Sequence, residues 1–315
     1  MDKRGGHAVV LGASMGGLLA ARVLADFYDR VTVVERDLLP SDPVNRRGVP
    51  QGRLIHAALA RCTQVLDELF PGFVDELEAA GVGCWDDGDF SKVLMSAGGH
   101  QAVRSGRAPN PTVIYFPSRA LLEWNVRRRV QSITNVMFLE GHDVLGLTAT
   151  PDRGRVTGAR VVDRAADRQT RLTADLVIDA TGRGSRTPVF LEELGYGRPR
   201  EDELTVQLAY ACQLLRVAPG AVKEHMIALF PDRSGRRCSG SSGTKTTPGC
   251  SVSAAWRERS PLPGLLKCLT SRPISLPRMC WKQFERPSPS ERWFIIAFHR
   301  TGGGATTRCA GLLTV

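Results

Sequence analysis

The chain has 315 residues, 42% of them hydrophobic, which is ordinary for a soluble globular protein and enough for one large domain or two interleaved ones. Its net charge of +10 is unevenly placed: residues 233–315 hold 14 Lys and Arg against three acids, a net of +11, whereas residues 1–232 net −1. The near-neutral body therefore speaks against a nucleic-acid binder, and no apolar run is long enough to span a membrane.

Met1-Asp2-Lys3-Arg4 is followed by a short apolar run, Ala8 to Leu11, before Gly12 interrupts it, so no export signal is expected and a cytoplasmic location is. His7 to Leu11 predicts a strand, Gly12 to Gly17 a small-residue turn, and Leu18 to Phe27 a helix. Val31 to Val34 predicts a second strand ending at Glu35. After a polar loop with Pro40, Pro43 and Pro50, a helix is expected from about Ile55 to Phe70, with Leu59, Val65, Leu66 and Leu69 as core positions. Pro71 begins another helical turn closed by Gly81.

Ser91 to Phe116 lacks helical periodicity and is expected to leave the main sheet as loops with one or two strands. Ser118 suits the N-cap of a helix whose inner stripe is Leu122, Val126 and Val130, with Arg127-Arg128-Arg129 on its solvated side. From Val136 to Asp179 several β-rich segments, among them Val156 to Val162 and Leu176 to Ile178, read as a meander returning to the sheet. Beyond Asp232 there is no further Asp, and Ser, Arg, Gly and Pro dominate. That tail shows few helix or strand periods apart from Trp293 to Phe298, and an irregular, poorly packed or disordered segment is expected. None of the eight cysteines forms a CxxC pair, which points to reduced thiols rather than a metal site or a disulfide framework.

The turn Gly12-Ala13-Ser14-Met15-Gly16-Gly17 lies between the first strand and the first helix. There the first glycine permits a tight turn, a small second position lets backbone amides approach a pyrophosphate, and the last glycine lets helix pack on strand. The second position is Ser14 rather than Gly. Glu35 follows 23 residues after Gly12, at the end of the second strand, where an acid can accept hydrogen bonds from ribose hydroxyls. The same residues spell Gly12-x-Ser14-x-Gly16, the form in which a serine hydrolase exposes its nucleophile. The eleven residues before Gly12 leave little room for the strands and oxyanion loop that such a serine needs, so the hydrolase is the less favoured alternative. A non-enzymatic nucleotide-binding remnant is another.

The N-terminal unit, the Gln51-Gly52-Arg53 loop and the stretch from Asp175 through Asp179-Ala180-Thr181-Gly182 to Arg186 together resemble the FAD-dependent monooxygenases of the aromatic-hydroxylase type, those with the para-hydroxybenzoate hydroxylase fold. The resemblance covers residues 7 to 230. It implies an α/β protein: a Rossmann-like FAD-binding domain with a β-meander over residues 1–200, of which 85–117 contribute to the substrate side. An interleaved β-sheet substrate domain would begin at 201–232, and residues 233–315 would be the atypical basic tail.

By the same resemblance Gly12, Ala13, Ser14, Met15, Gly16 and Gly17 line the FAD pyrophosphate, and Glu35 holds the adenosine ribose with Arg36 beside it. Arg53 is the basic loop residue next to the cofactor, and Arg119 faces its flavin side. Thr181 and Gly182 end a strand near the pyrophosphate, Thr181 standing where relatives often have Asp. The implied activity is oxygen transfer: NAD(P)H reduces FAD, the reduced flavin takes up O2, and a small organic substrate is hydroxylated or epoxidised. No residue declares itself as a catalytic acid or base, and no metal or nucleic acid is expected. The family's third cofactor motif, Gly-Asp before a glycine-rich helix start, is absent, so a gene truncated or frameshifted after about residue 232 is expected, with a basic nucleic-acid-binding tail as the lesser alternative.

Overall fold

The computed structural model describes residues 3–202, 208–215, 222–230, 237–243, 250–257 and 294–298. In chain order the elements begin with β1 (Gly5–Leu11), α1 (Met15–Phe27), β2 (Tyr28–Val34), α2 (Ala60–Leu69) and α3 (Phe73–Ala79). Four short strands come next, β3 (Cys84–Trp85), β4 (Val93–Ala97), β5 (His100–Gln101) and β6 (Ile114–Tyr115), and then α4 (Arg119–Gln131). They lead into β7 (Val136–Leu139), β8 (His142–Ala149), β9 (Val156–Asp163), β10 (Arg168–Thr173), β11 (Leu176–Asp179) and α5 (Thr187–Glu193). The last described strands are β12 (Leu208–Leu215), β13 (Met226–Leu229), β14 (Arg237–Gly243), β15 (Cys250–Arg257) and β16 (Phe294–Phe298). Two compact units result, one of Met1–Pro50 with Ala120–Glu203 and one of Gln51–Arg119 with Leu204–Val315.

In the first unit β11, β1, β2 and β7 form a parallel sheet in that order. Residues 7–11 of β1 are all buried, the pattern of a strand covered on both faces. Val9 and Leu11 point to one face, where they pack with Val34, Leu147, Ala159, Val161, Ala174 and Phe190, so the antiparallel meander β8-β9-β10 and α5 close that side. Ala8 and Val10 alternate to the other face and are fully buried there. Helix α1 lies against β1 and β2 and buries Leu18, Ala21, Leu24 and Ala25.

Helix α4 buries the expected stripe Leu122, Val126 and Val130. Arg127 departs from expectation: it is 4% exposed rather than solvated, because its guanidinium reaches the Pro40 carbonyl. Trp124 on the same helix donates to the Ser41 carbonyl at 2.5 Å. These bonds hold the loop after β2 against α4.

The second unit contains a sheet with the order β16-β12-β15-β14-β13-β4-β5, antiparallel except for the parallel pair β13 and β4. As expected, the segment after Ser91 leaves the main sheet, with β4 and β5 joining this one. Helix α2 starts at Ala60, later than Ile55, because Ala58 pairs with Tyr115 and keeps the preceding backbone extended. Leu59 is consequently 60% exposed and is not a core residue, whereas Leu66 is buried. In the tail β16 falls where the apolar period near Phe294 announced it. Strand β14, rich in Ser and Gly, carries no alternating apolar pattern and is specified by its neighbours in the sheet, whereas β15 alternates Cys250, Val252, Ala254 and Trp256 with Ser251, Ser253 and Ala255, a period that the sequence reading passed over. No described helix is long and apolar enough to cross a membrane.

Candidate functional site

The turn after β1 is shaped by two close approaches. Gly12 has φ +99°, and a Cβ there would stand 2.8 Å from the Ala180 carbonyl oxygen. A Cβ on Gly17 would stand 1.8 Å from the Gly12 carbonyl oxygen, whereas one on Gly16 would meet only Ala180 Cβ at 4.0 Å. The two glycines needed by the backbone are therefore the first and the last of the motif.

Helix α1 begins at Met15, and the Leu18 amide is the one that bonds back to the Ser14 carbonyl, at 2.9 Å. The amides of Met15, Gly16 and Gly17 belong to the first turn, whose N–H groups point out of the helix end. Ser14 occupies the N-cap position, but its side chain does not cap the helix. Its hydroxyl donates instead to Glu123 Oε2 at 2.8 Å.

Glu35 follows β2 and is bound into the same turn. Its Oε2 accepts the Ala13 amide at 2.8 Å and its Oε1 the Asp37 amide at 3.0 Å. Arg46, from the loop held by α4, enters between the acids: Nε donates to Glu123 Oε1 at 2.8 Å, Nη1 to Asp37 Oδ2 at 3.1 Å, and Nη2 to the Ala13 carbonyl at 3.0 Å. Arg46 Nη1 also lies 3.4 Å from Glu35 Oε2. The side chains of Glu35, Arg46 and Glu123 are all about nine-tenths buried. Burial works against the charge of Arg46, but Glu123 and Glu35 outweigh it and hold the pKa of the guanidinium above its ordinary value.

The end of β11 meets this turn from the neighbouring strand, with the Ala180 amide donating to the Leu11 carbonyl at 2.8 Å. Asp179 organises the turn beyond that strand. It accepts the Thr181 amide and hydroxyl at 2.8 and 2.5 Å, the Thr187 hydroxyl at 2.5 Å, and the Ser185 hydroxyl. Thr181 is thus committed to Asp179, while Gly182 takes φ +71°.

Gly12 to Gly17, Glu35, Thr181 and Gly182 accordingly gather at one edge of the parallel sheet. Arg36 carries an exposed side chain, 59% accessible, with Asp37 Oδ1 4.0 Å from its Nε. Arg53 ends a short 3-10 turn, Pro50–Arg53, and Arg119 is the buried first residue of α4; both are assigned to the second unit. Within that unit the positive charge of Arg119 bears on His56, whose pKa is lowered first by burial and further by this charge, despite a bond to the Leu54 carbonyl.

Sequence reasoning missed Arg46 and Glu123, and it placed Asp179 in the strand-end motif without giving it a role. A signal existed for Glu123, an acid three and seven residues before Val126 and Val130, and so on the buried stripe of its helix. No comparable signal marked Arg46 among the bases of its loop.

No protein-family profile matches the chain. Protein Rv3254 of Mycobacterium tuberculosis is 41% identical over 230 residues, 70% of this chain and 47% of that protein, so the chain spans about half the length of this curated relative. Among solved structures, p-nitrophenol 4-monooxygenase PnpA from Pseudomonas putida superposes with a TM-score of 0.61 at 15% identity, covering 95% of this chain and 71% of its own. The flavin-dependent brominase Bmp2 superposes with a TM-score of 0.62 at 15% identity, covering 94% and 70%. At such identities the likeness is one of fold, and the fold is that of flavin-dependent monooxygenases and halogenases.

Proposed function

We propose that this chain holds FAD and belongs to a flavin-dependent oxidoreductase, a monooxygenase acting on a small organic molecule with NAD(P)H as electron donor, in the cytoplasm. The observation that supports it most is the edge of the parallel sheet at the C-terminal ends of β1, β2 and β11. There an uncapped helix end, a turn without Cβ atoms at Gly12 and Gly17, and a buried carboxylate, Glu35, come together. That donor set fits an adenosine diphosphate: outward amides suit the diphosphate, and Glu35 suits the ribose hydroxyls.

When bound, FAD supplies hydride acceptance and O2 activation. The residues of the chain bind and orient it. The amides of Met15, Gly16 and Gly17 receive the diphosphate, and Ala13 and Ser14 shape the turn that presents them. Glu35 accepts the ribose, with Arg36 beside it. Thr181 and Gly182 border the turn from β11, their backbone set by Asp179. Arg53 and Arg119, which belong to the second unit, are assigned to the cofactor by the resemblance alone. The alternative of a serine nucleophile gains nothing from the geometry, since the Ser14 hydroxyl donates to a carboxylate that is itself paired with Arg46.

Titrating FAD with the purified chain and following quenching of flavin fluorescence tests the reading; saturable binding near one equivalent is expected. Tight NAD binding without flavin affinity would overturn it, as would stoichiometric labelling of Ser14 by a serine-reactive phosphonate.

A further inference from the structure

Serine at an N-cap ordinarily turns its oxygen back to accept the second or third amide of its helix. Ser14 has the extended backbone of such a cap, φ −92° and ψ −175°, yet makes no side-chain cap bond. Its hydroxyl instead donates to Glu123 Oε2, 109 residues away in sequence. Glu123 is not free to follow the serine, because its other oxygen is held by Arg46 Nε at 2.8 Å, and Arg46 is anchored in turn on Asp37 and the Ala13 carbonyl.

We propose that Glu123 is a positioning residue of the cofactor site: by accepting the Ser14 hydroxyl it keeps that side chain from capping α1 and leaves the first amides of the helix open to an anionic ligand. A helix that capped itself would have to give up that bond before a diphosphate could enter, and the ligand would bind more weakly by the free energy of the cap. The acid does this from outside the turn, so it serves the site without touching the ligand. The inference rests on the FAD reading for the identity of that ligand, but the state of Ser14 can be read without it.

Two measurements on the full chain test the assignment. In the free protein, hydrogen exchange of the Gly16 and Gly17 amides should slow about fivefold or more in Glu123→Ala, as Ser14 turns back onto them, and recover in the double variant Ser14→Ala/Glu123→Ala. In FAD titrations, Glu123→Ala should weaken binding by roughly threefold to tenfold when Ser14 is present and by less than about twofold in the Ser14→Ala background. Glu123→Gln, whose amide oxygen can still accept the hydroxyl, should keep most of the affinity. If Glu123→Ala does not fold, Glu123→Leu, closer in volume, carries the same expectations. Unchanged amide exchange, or equal losses in both serine backgrounds, would overturn the assignment and leave Glu123 as a prop for Arg46. Wild-type protein that takes up no FAD while showing the exchange pattern would sink the cofactor reading and leave the role of Glu123 standing.

Discussion

Gly17 packs so closely over Gly12 that a methyl group on it would fall 1.8 Å from the Gly12 carbonyl oxygen, while the adjacent Gly16 has room for one. The contact is with backbone, which cannot rotate away, so Gly17→Ala must displace the start of α1 from β1. A loss of about 2 kcal/mol or more in stability is expected for Gly17→Ala, as for other overpacked core sites. Gly16→Ala should stay within about 0.5 kcal/mol of the parent. Thermal or urea unfolding of the two variants provides the comparison, and equal effects would mean that the turn tolerates the shift.

Glu35 has two duties, bracing the turn through the Ala13 and Asp37 amides and accepting ribose hydroxyls in the proposed site. Glu35→Ala removes both. A hydrogen bond to a charged group contributes roughly 1.5–3 kcal/mol, so FAD affinity should fall by about tenfold or more. The stability of the free protein should fall as well, because Arg46 loses one of its carboxylates. Fluorescence titration measures the first and denaturant unfolding the second. An unchanged affinity with lowered stability would leave Glu35 as a brace alone.

His7 makes the first unit sensitive to pH. Its ring is buried, with Nδ1 2.6 Å from the Thr173 carbonyl and Nε2 2.8 Å from the Thr32 hydroxyl. A carbonyl only accepts, so the bond to Thr173 calls for a proton on Nδ1 and leaves Nε2 to accept the threonine hydroxyl, while Arg30 Nη2 stands 3.1 Å from the same Nδ1. Burial lowers its pKa, aided by Arg30 and opposed by the Thr173 carbonyl and Asp175. The unfolded chain, with an ordinary imidazole near about 6.5, therefore binds more protons between the two values. Stability from this group is complete above about 6.5 and is lost as pH falls through the lower folded value. Urea midpoints at about pH 5 and pH 7.5 should differ for the parent and differ less for His7→Asn. Identical slopes in the two proteins would remove His7 as the cause.

Asp179 gathers four donors within eight residues of chain, from Thr181, Ser185 and Thr187. Burial pushes its pKa up, but the hydrogen bonds from these hydroxyls and the Thr181 amide outweigh it, and the net shift is downward. Its contribution to stability is thus present above the ordinary aspartate value of about 3.9 and is lost as pH falls through the lower folded value. Asp179→Ala should cost about 1–3 kcal/mol near neutral pH by leaving partly buried hydroxyls unmatched. Urea unfolding is the check, and a change under about 0.5 kcal/mol would show that the turn holds itself without the carboxylate.

The amino-acid sequence alone determined the strand, turn and helix that open the chain, the acid at the end of β2, the stripe Leu122, Val126 and Val130, and the β-rich run leading to Asp179. Each depends on spacing within a few residues: a buried strand reads as a short apolar run, a helix face as every third or fourth residue, a tight turn as glycine. Only the tertiary structure decided which side chains the site would use and how. Ser14 and Glu123 are 109 residues apart, and Arg46 and Glu123 are 77 apart. Nothing local distinguishes Arg46 from its neighbour Arg47, or the buried Arg127 from the run of arginines that contains it. Leu59, apolar and at a plausible helical position, is exposed because Ala58 is drawn into a bridge with a residue from a distant strand. A charged side chain is buried only where partners from other elements offset its desolvation, and those partners are chosen by the packing of α4 against the loop after β2, a choice that short-range patterns do not encode.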